Sequence, residues 1–354
     1  MIIIMKKYLA VLLCVLMTVL MFSGCEKNTE DDIPQAPPAP GFEPLGDIKE
    51  GRKDIYVIVK DLNSSYWRVV VNGARAGARD LDCNVYYSGC YTEADWVSME
   101  RLLDDAMNAD ADAIVVSPNN SVKLSGKIAQ VHESGIPVVL VDTIANTDQY
   151  DICYMTDNLM AGQQAAAEMI SQLKANGNDT DEPLKIGIEI GAIASQTVNE
   201  RLAGFLQYWS NKAPDGWEVI SDFKYNNGDA ENSLRCSEDL LKYENIKGVY
   251  GTDNVSTTGL AKMIFTHQRT DVVMIGFDFS EEMETLIRTE DYVASTMVQR
   301  QFEMAYTGIE TALELIDGKE IDVKFVDTGV TVVSKKNIDR DKIRLLLDKD
   351  RGIS

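Results

Sequence analysis

Residues 113–142 read AIVVSPNNSVKLSGKIAQVHESGIPVVLVD, and this stretch decides the fold. It holds two apolar runs, Ala113–Val116 and Val138–Val141, with a helical pattern over 122–132 between them. Gly135-Ile136-Pro137 ends the helix before the second run begins. Neither run alternates polar with apolar, as a strand with one wet face would. Continuous β-branched runs fit parallel strands covered on both faces.

The same alternation extends both ways. Upstream, 55–59 (IYVIV) is a strand, followed by a helix that aligns Trp67, Val70, Val71, Ala74, Ala78 and Leu81. A short strand at 85–87 follows, then a helix opened by Thr92 and carrying Met99, Leu102, Leu103 and Ala106. Downstream, strands are expected at 185–190, 217–222, 249–250, 272–275 and 292–296. Helices at 159–173, 197–209, Ala230–Leu241, 257–265, around 282–287 and 302–316 separate or follow them, and β-rich segments at 324–326 and 331–333 close the chain. The fold class is therefore α/β. About ten units exceed one modest sheet, so two similar lobes are expected, each a parallel sheet flanked by helices.

In open parallel sheets, ligands sit beyond the C-terminal strand ends. Lys60, Ser117, Asp142, Asp253 and Asp278 each follow an apolar run at such an end. A polar residue there also caps the next helix in many proteins, so each position has two readings. As a set across two lobes they point to one polar cleft.

Composition narrows the function. The 354 residues carry 34 Lys+Arg against 56 Asp+Glu, a formal charge of -22, which argues against nucleic acid. His132 and His267 are the only histidines, too few for a His-rich metal site, and they read as surface or packing residues. Cys83 and Cys90 bracket a strand; seven extended residues span about 23 Å, beyond disulfide reach. With Cys153 and Cys236 they read as free thiols.

The N-terminus reads as an export signal over 1–24. Lys6 and Lys7 precede an apolar run, 8–22, short for a membrane span. Phe22-Ser23-Gly24-Cys25 looks like a bacterial lipobox, with Phe22 where Leu is usual, making Cys25 the lipidated first residue of the mature chain. Loss of Lys6 and Lys7 takes the charge from -22 to -24. Residues 25–51, with Pro34, Pro37, Pro38, Pro40 and Pro44, read as a disordered tether.

Further segments carry a family resemblance over about 54–333. Val59-Lys60-Asp61-Leu62-Asn63-Ser64-Ser65-Tyr66-Trp67 with Gly73-Ala74 is similar to the first strand-loop-helix of the type I periplasmic binding proteins of the ribose and galactose class. So are 113–119, Gly135 to Asp142, Thr156-Asp157-Asn158 with Gly162, Asn199 to Phe205, Gly251-Thr252-Asp253-Asn254, Ile275-Gly276-Phe277-Asp278 and Thr296-Met297-Val298-Gln299. The resemblance implies lobes of 52–156 plus 300–328 and 157–299 plus 329–354, joined by crossover hinge strands. It implies ligand contacts from Lys60, Ser64, Tyr66, Trp67, Ser117, Asp142, Thr143, Asn199, Asp253, Asp278 and Gln299. Tyr66 and Trp67 would lie on sugar C–H faces; the carboxylates would accept from hydroxyls. Thr143 and Asn199 stand where ribose binders carry Arg, and Asp253, Ser64 and Ser117 where they carry Asn, which argues against ribose. Lys60 is similar to a lysine of the autoinducer-2 and rhamnose branch. The Asp-rich calcium loop of the galactose binders is not evident, so no metal and no cofactor are expected.

The implied function is capture of a sugar or related polyhydroxylated molecule for an ABC importer. The protein would be a monomer with one cleft, held outside the cytoplasmic membrane through Cys25. Two alternatives are a receptor serving a sensor kinase or chemoreceptor, and a glycosidase using Asp142 and Asp278 as paired carboxylates.

Overall fold

The computed structural model describes residues 39–193 and 195–351. The export signal, Cys25 and the tether up to residue 38 lie outside the described residues. The chain runs β1 (Glu43–Pro44), β2 (Asp54–Val59), α1 (Ser65–Asp80), β3 (Asn84–Gly89), α2 (Trp96–Asn108), β4 (Ala113–Val116), α3 (Ser125–Glu133), β5 (Val138–Val141) and β6 (Ile152–Met155). It continues through α4 (Asn158–Ala175), β7 (Leu184–Ile190), α5 (Gln196–Lys212), β8 (Trp217–Val219), β9 (Lys224–Tyr225), α6 (Ala230–Leu241), β10 (Ile246–Gly251), α7 (Asn254–Thr266), β11 (Val273–Phe277), α8 (Glu281–Arg288) and β12 (Ala294–Val298). Then come α9 (Gln301–Ile316), β13 (Phe325–Asp327), β14 (Thr331–Ser334) and α10 (Asp341–Arg351).

Two sheets result. The first has the order β1-β3-β2-β4-β5-β6-β13; the second has β14-β12-β11-β10-β7-β8, with β9 also against β7. Among the described residues the pairings are parallel except β1–β3 and β12–β14. The apolar runs are explained by cover on both faces: Tyr56 and Ile58 of β2 join one core, while Ile55, Val57 and Val59 join the other. The second sheet is likewise packed between two apolar clusters.

Helix packing depends on a few glycines. A Cβ at Gly73 on α1 would sit 2.2 Å from the Phe302 carbonyl oxygen of α9. In the second lobe, a Cβ at Gly162 on α4 would meet the Arg201 carbonyl oxygen at 2.1 Å, and one at Gly204 on α5 the Leu159 carbonyl oxygen at 2.0 Å. Bare backbone faces let these helix pairs approach closely.

Two boundaries differ from the sequence reading. The tether expected to run to residue 51 is packed against the first lobe from residue 39. Leu45 N–H donates to the Val85 carbonyl at 2.8 Å, Ser88 Oγ to the Pro40 carbonyl at 2.8 Å, and Phe42 meets Tyr56 edge-on at 4.7 Å. Its prolines suit an edge strand, where missing donors are tolerated. The C-terminal segment also does more than extend the second lobe. Leu346 and Leu347 of α10 join a second-lobe core, while Lys349 Nζ donates to Glu303 on α9 at 2.8 Å and lies 4.7 Å from the Phe302 ring centre.

Candidate functional site

A cleft of about 290 Å³ opens between the strand ends of the two sheets. Eight of the residues singled out in the sequence line it: Lys60, Ser64, Tyr66, Trp67, Asp142, Asp253, Asp278 and Gln299.

On the first lobe, β2 delivers Lys60 and the first turn of α1 delivers Tyr66 and Trp67. Ser64 caps α1, accepting from the Tyr66 N–H. Asp142 follows β5 and accepts from three donors of its own lobe, which leaves it acceptor capacity toward the cleft: Lys60 Nζ donates to it at 2.9 Å, Thr143 Oγ1 at 2.6 Å and Tyr66 Oη at 2.5 Å. Burial opposes ionisation of Asp142, but Lys60 and these hydrogen bonds outweigh it and hold the carboxyl below its ordinary value. Burial, reinforced by Asp142 and Asp278, drives the Tyr66 phenol well above its ordinary value, so it stays a donor. Trp67 is buried at the cleft wall, with Lys60 Nζ 5.3 Å from its ring centre.

The second lobe repeats the construction. Asp278 follows β11 as Asp142 follows β5, and both adopt left-handed backbone, φ 67° and 66°. Each main-chain N–H donates at 2.8 Å to the neighbouring strand, Asp142 to Tyr154 and Asp278 to Met297. Aspartate tolerates this conformation better than bulkier residues do, and it turns the carboxylate toward the cleft. Asp278 accepts from Gln299 Nε2 at 2.8 Å. Burial pushes its carboxyl up to about 7, against the pull of Arg201 and Gln299 and helped by Asp142 and Asp253. The two aspartates thus differ: one is held ionised by lysine, the other stands near its threshold. Asp253 both caps α7, accepting from Ser256 N–H at 2.9 Å, and lines the cleft, so capping does not exclude a place in the cleft wall.

Three expected contacts do not line the cleft. Ser117 is wholly buried behind it. Thr143 is also buried, bonded to Lys60 and Asp142 as their support. Asn199 is exposed, donates to the Ile193 carbonyl at 2.8 Å and lines a separate outer groove with Gln196 and Glu200. Helical phase explains the displacement: Thr197, Val198 and Arg201 share the inward face of α5 and line the cleft, while Asn199 points away.

Two positions beyond Asn199, Arg201 lines the cleft. Its guanidinium lies 3.7 Å from the Phe277 ring centre, donating to Asn158 Oδ1 at 2.8 Å and to the Thr252 carbonyl at 3.0 Å. Glu93 was also missed. It accepts from Trp67 Nε1 at 2.8 Å, and burial raises its carboxyl despite Lys60. The strand-end rule points to it only once β3 is seen to run through Ser88 to Gly89, since the apolar part of that strand ends earlier, at Tyr87. Asp61, Asn119, Asn227 and Asn254 complete much of the polar lining.

Cys83, Cys90, Cys153 and Cys236 are buried free thiols. Burial pushes Cys83 up to about 11 and Cys90 up to about 12, which keeps them protonated and unreactive.

Residues 55–320 match the family described as periplasmic binding protein domain. The chain belongs to that family. Its relatives include the ribose import binding protein of Bacillus subtilis, 22% identical over 62% of this chain and 68% of the relative. The D-apiose import binding protein of Actinobacillus succinogenes is 21% identical over 80% and 85%. A carbohydrate transporter solute binding protein from Agrobacterium radiobacter, solved with D-arabinose, is similar at TM-score 0.79 and 29% identity, covering 84% of this chain and 99% of that one. One from Agrobacterium vitis, with D-fucose, is similar at TM-score 0.74 and 26% identity, covering 82% and 98%. This is the sugar ABC transporter branch of the periplasmic binding proteins, a transport family that binds its solutes without transforming them. The paired aspartates are thus ligand-binding candidates, and the glycosidase alternative falls away.

Proposed function

We propose that this periplasmic binding protein captures one uncharged monosaccharide or similar polyol between its lobes and presents the closed form to an ABC permease. A lipid on Cys25 holds it at the outer face of the cytoplasmic membrane. One observation carries the reading: Asp142 and Asp278, built alike at corresponding strand ends of the two lobes, line one cleft with Trp67. Hydroxyls donate to carboxylates, and a C–H face packs on an indole. Contacts from both lobes favour closure. The cleft lies at the small end of ligand pockets, about 300–1,000 Å³, which suits a single ring.

Charge narrows the ligand. Asp61, Glu93, Asp142, Asp253 and Asp278 line the cleft against Lys60 and Arg201, and both cations already serve protein partners. An anionic ligand would meet uncompensated carboxylates. Calorimetric titration with D-ribose, D-arabinose, D-apiose, D-fucose, hexoses, polyols, uronic acids and sugar phosphates tests this. One neutral compound should bind at one site per chain. Binding confined to the uronic acids or phosphates, or to no compound, would overturn the reading.

A further inference from the structure

Glu189 is a carboxylate that the binding scheme leaves unused. It lies on β7, fully buried, outside the cleft lining. Its Oε1 accepts from Ser233 Oγ at 2.5 Å and Asn226 Nδ2 at 2.8 Å, and its Oε2 from Ser237 Oγ at 2.6 Å. Ser233 and Ser237 are one turn apart on α6. A buried carboxylate is costly, and no Lys or Arg forms an ion pair with Glu189 among the described residues.

The path from Asn226 leads to the cleft in two directions. Its Nδ2 also donates to Ser256 Oγ at 2.9 Å, and Ser256 Oγ donates to Asp253 Oδ1 at 2.5 Å. Its Oδ1 accepts from the Gly228 N–H at 2.8 Å, and Asn227 and Gly228 line the cleft. An ionised carboxylate only accepts. It therefore obliges Asn226 to turn its amide nitrogen toward β7 and Ser256, and its oxygen toward Gly228. On the far side of Asp253, Gly191 leaves the space its carboxylate needs, since a Cβ there would lie 1.8 Å from Oδ2.

We propose that Glu189 is a positioning residue of the cleft: through Asn226 it orients the Asp253 carboxylate and the Asn227–Gly228 wall without touching the ligand. This rests on the capture reading above. Burial pushes the Glu189 carboxyl up to about 7, with Asp253 adding to the rise; the Cys236 thiol of α6 also feels its charge. Because the folded value exceeds the unfolded one, the ionised form costs stability, and that cost is complete only above pH 7.

The test is Glu189→Gln at pH 8, beside Ser256→Ala, which cuts only the Asp253 branch. In sugar-free protein, hydrogen exchange at the Gly228 amide should quicken tenfold or more in Glu189→Gln and stay parental in Ser256→Ala. Affinity for the parent's tightest-bound panel sugar should fall about tenfold or more in Glu189→Gln and less in Ser256→Ala. The melting temperature of Glu189→Gln should hold or rise. A purely structural residue would instead lower the melting temperature and leave affinity parental. Unchanged exchange at Gly228, or parental affinity in Glu189→Gln, overturns the proposal. A parent that binds no panel sugar overturns the capture reading, and this inference with it, whatever the exchange shows.

Discussion

Asp278 is where burial, backbone and charge meet. Its folded carboxyl stands at about 7 through burial, above the ordinary carboxylate range. The sign of its effect follows. Stability is full where both folded and unfolded chains are protonated and is lost as pH rises toward and past 7. Asp278→Asn should therefore raise the melting temperature of sugar-free protein more at pH 8 than at pH 5. Ligand affinity should move oppositely. Hydroxyl donors need the ionised form, so parent affinity should fall as pH drops from 8 to 5.5, by up to about tenfold per unit below the threshold. Calorimetry across that range checks it; a flat profile would separate Asp278 from the ligand. At this scale the sequence was informative for residues at strand ends and uninformative for phase. Asn199 and Arg201 are two positions apart, and only the helix's rotation tells which one turns inward.

At the scale of elements, the parallel strands were legible because both faces are covered, which writes continuous apolar runs into β2, β4, β5 and β11. The docking of β1 was not. Its composition is that of an unfolded linker, and only Phe42 and Leu45 hint at burial. The pairing partner is β3, some forty residues on. β1 is the edge strand of the first sheet, and neither Phe42 nor Tyr56 lines the cleft. Phe42→Ala should thus lower unfolding free energy by about 1–2 kcal/mol through lost apolar and ring contact, with sugar affinity parental. Denaturant melts and titration of the same preparation measure both. A change in affinity without a change in stability would contradict this placement. The bridging of α10 from a second-lobe core to Glu303 and Phe302 was equally hidden, since an amphipathic helix does not announce which lobe it covers.

At the scale of the molecule, the lobes repeat a construction that the sequence does not display as a repeat. Asp142 and Asp278 share a backbone state and a main-chain hydrogen bond to the neighbouring strand, while their side-chain partners differ. If Cys25 carries the lipid, Cys25→Ala should move the protein from the membrane to the soluble fraction and leave sugar affinity unchanged; membrane retention of the variant would count against that anchor.

Capture of a sugar requires one cleft served by both lobes. Titration of the parent, Trp67→Ala, Asp142→Asn and Asp278→Asn with the same sugar panel measures this most directly. The parent should bind one neutral sugar per chain. Each variant should lose about 1.5–3 kcal/mol, roughly ten- to hundredfold in affinity, while remaining folded. Parental affinity in all three folded variants would contradict the site, whichever sugar binds.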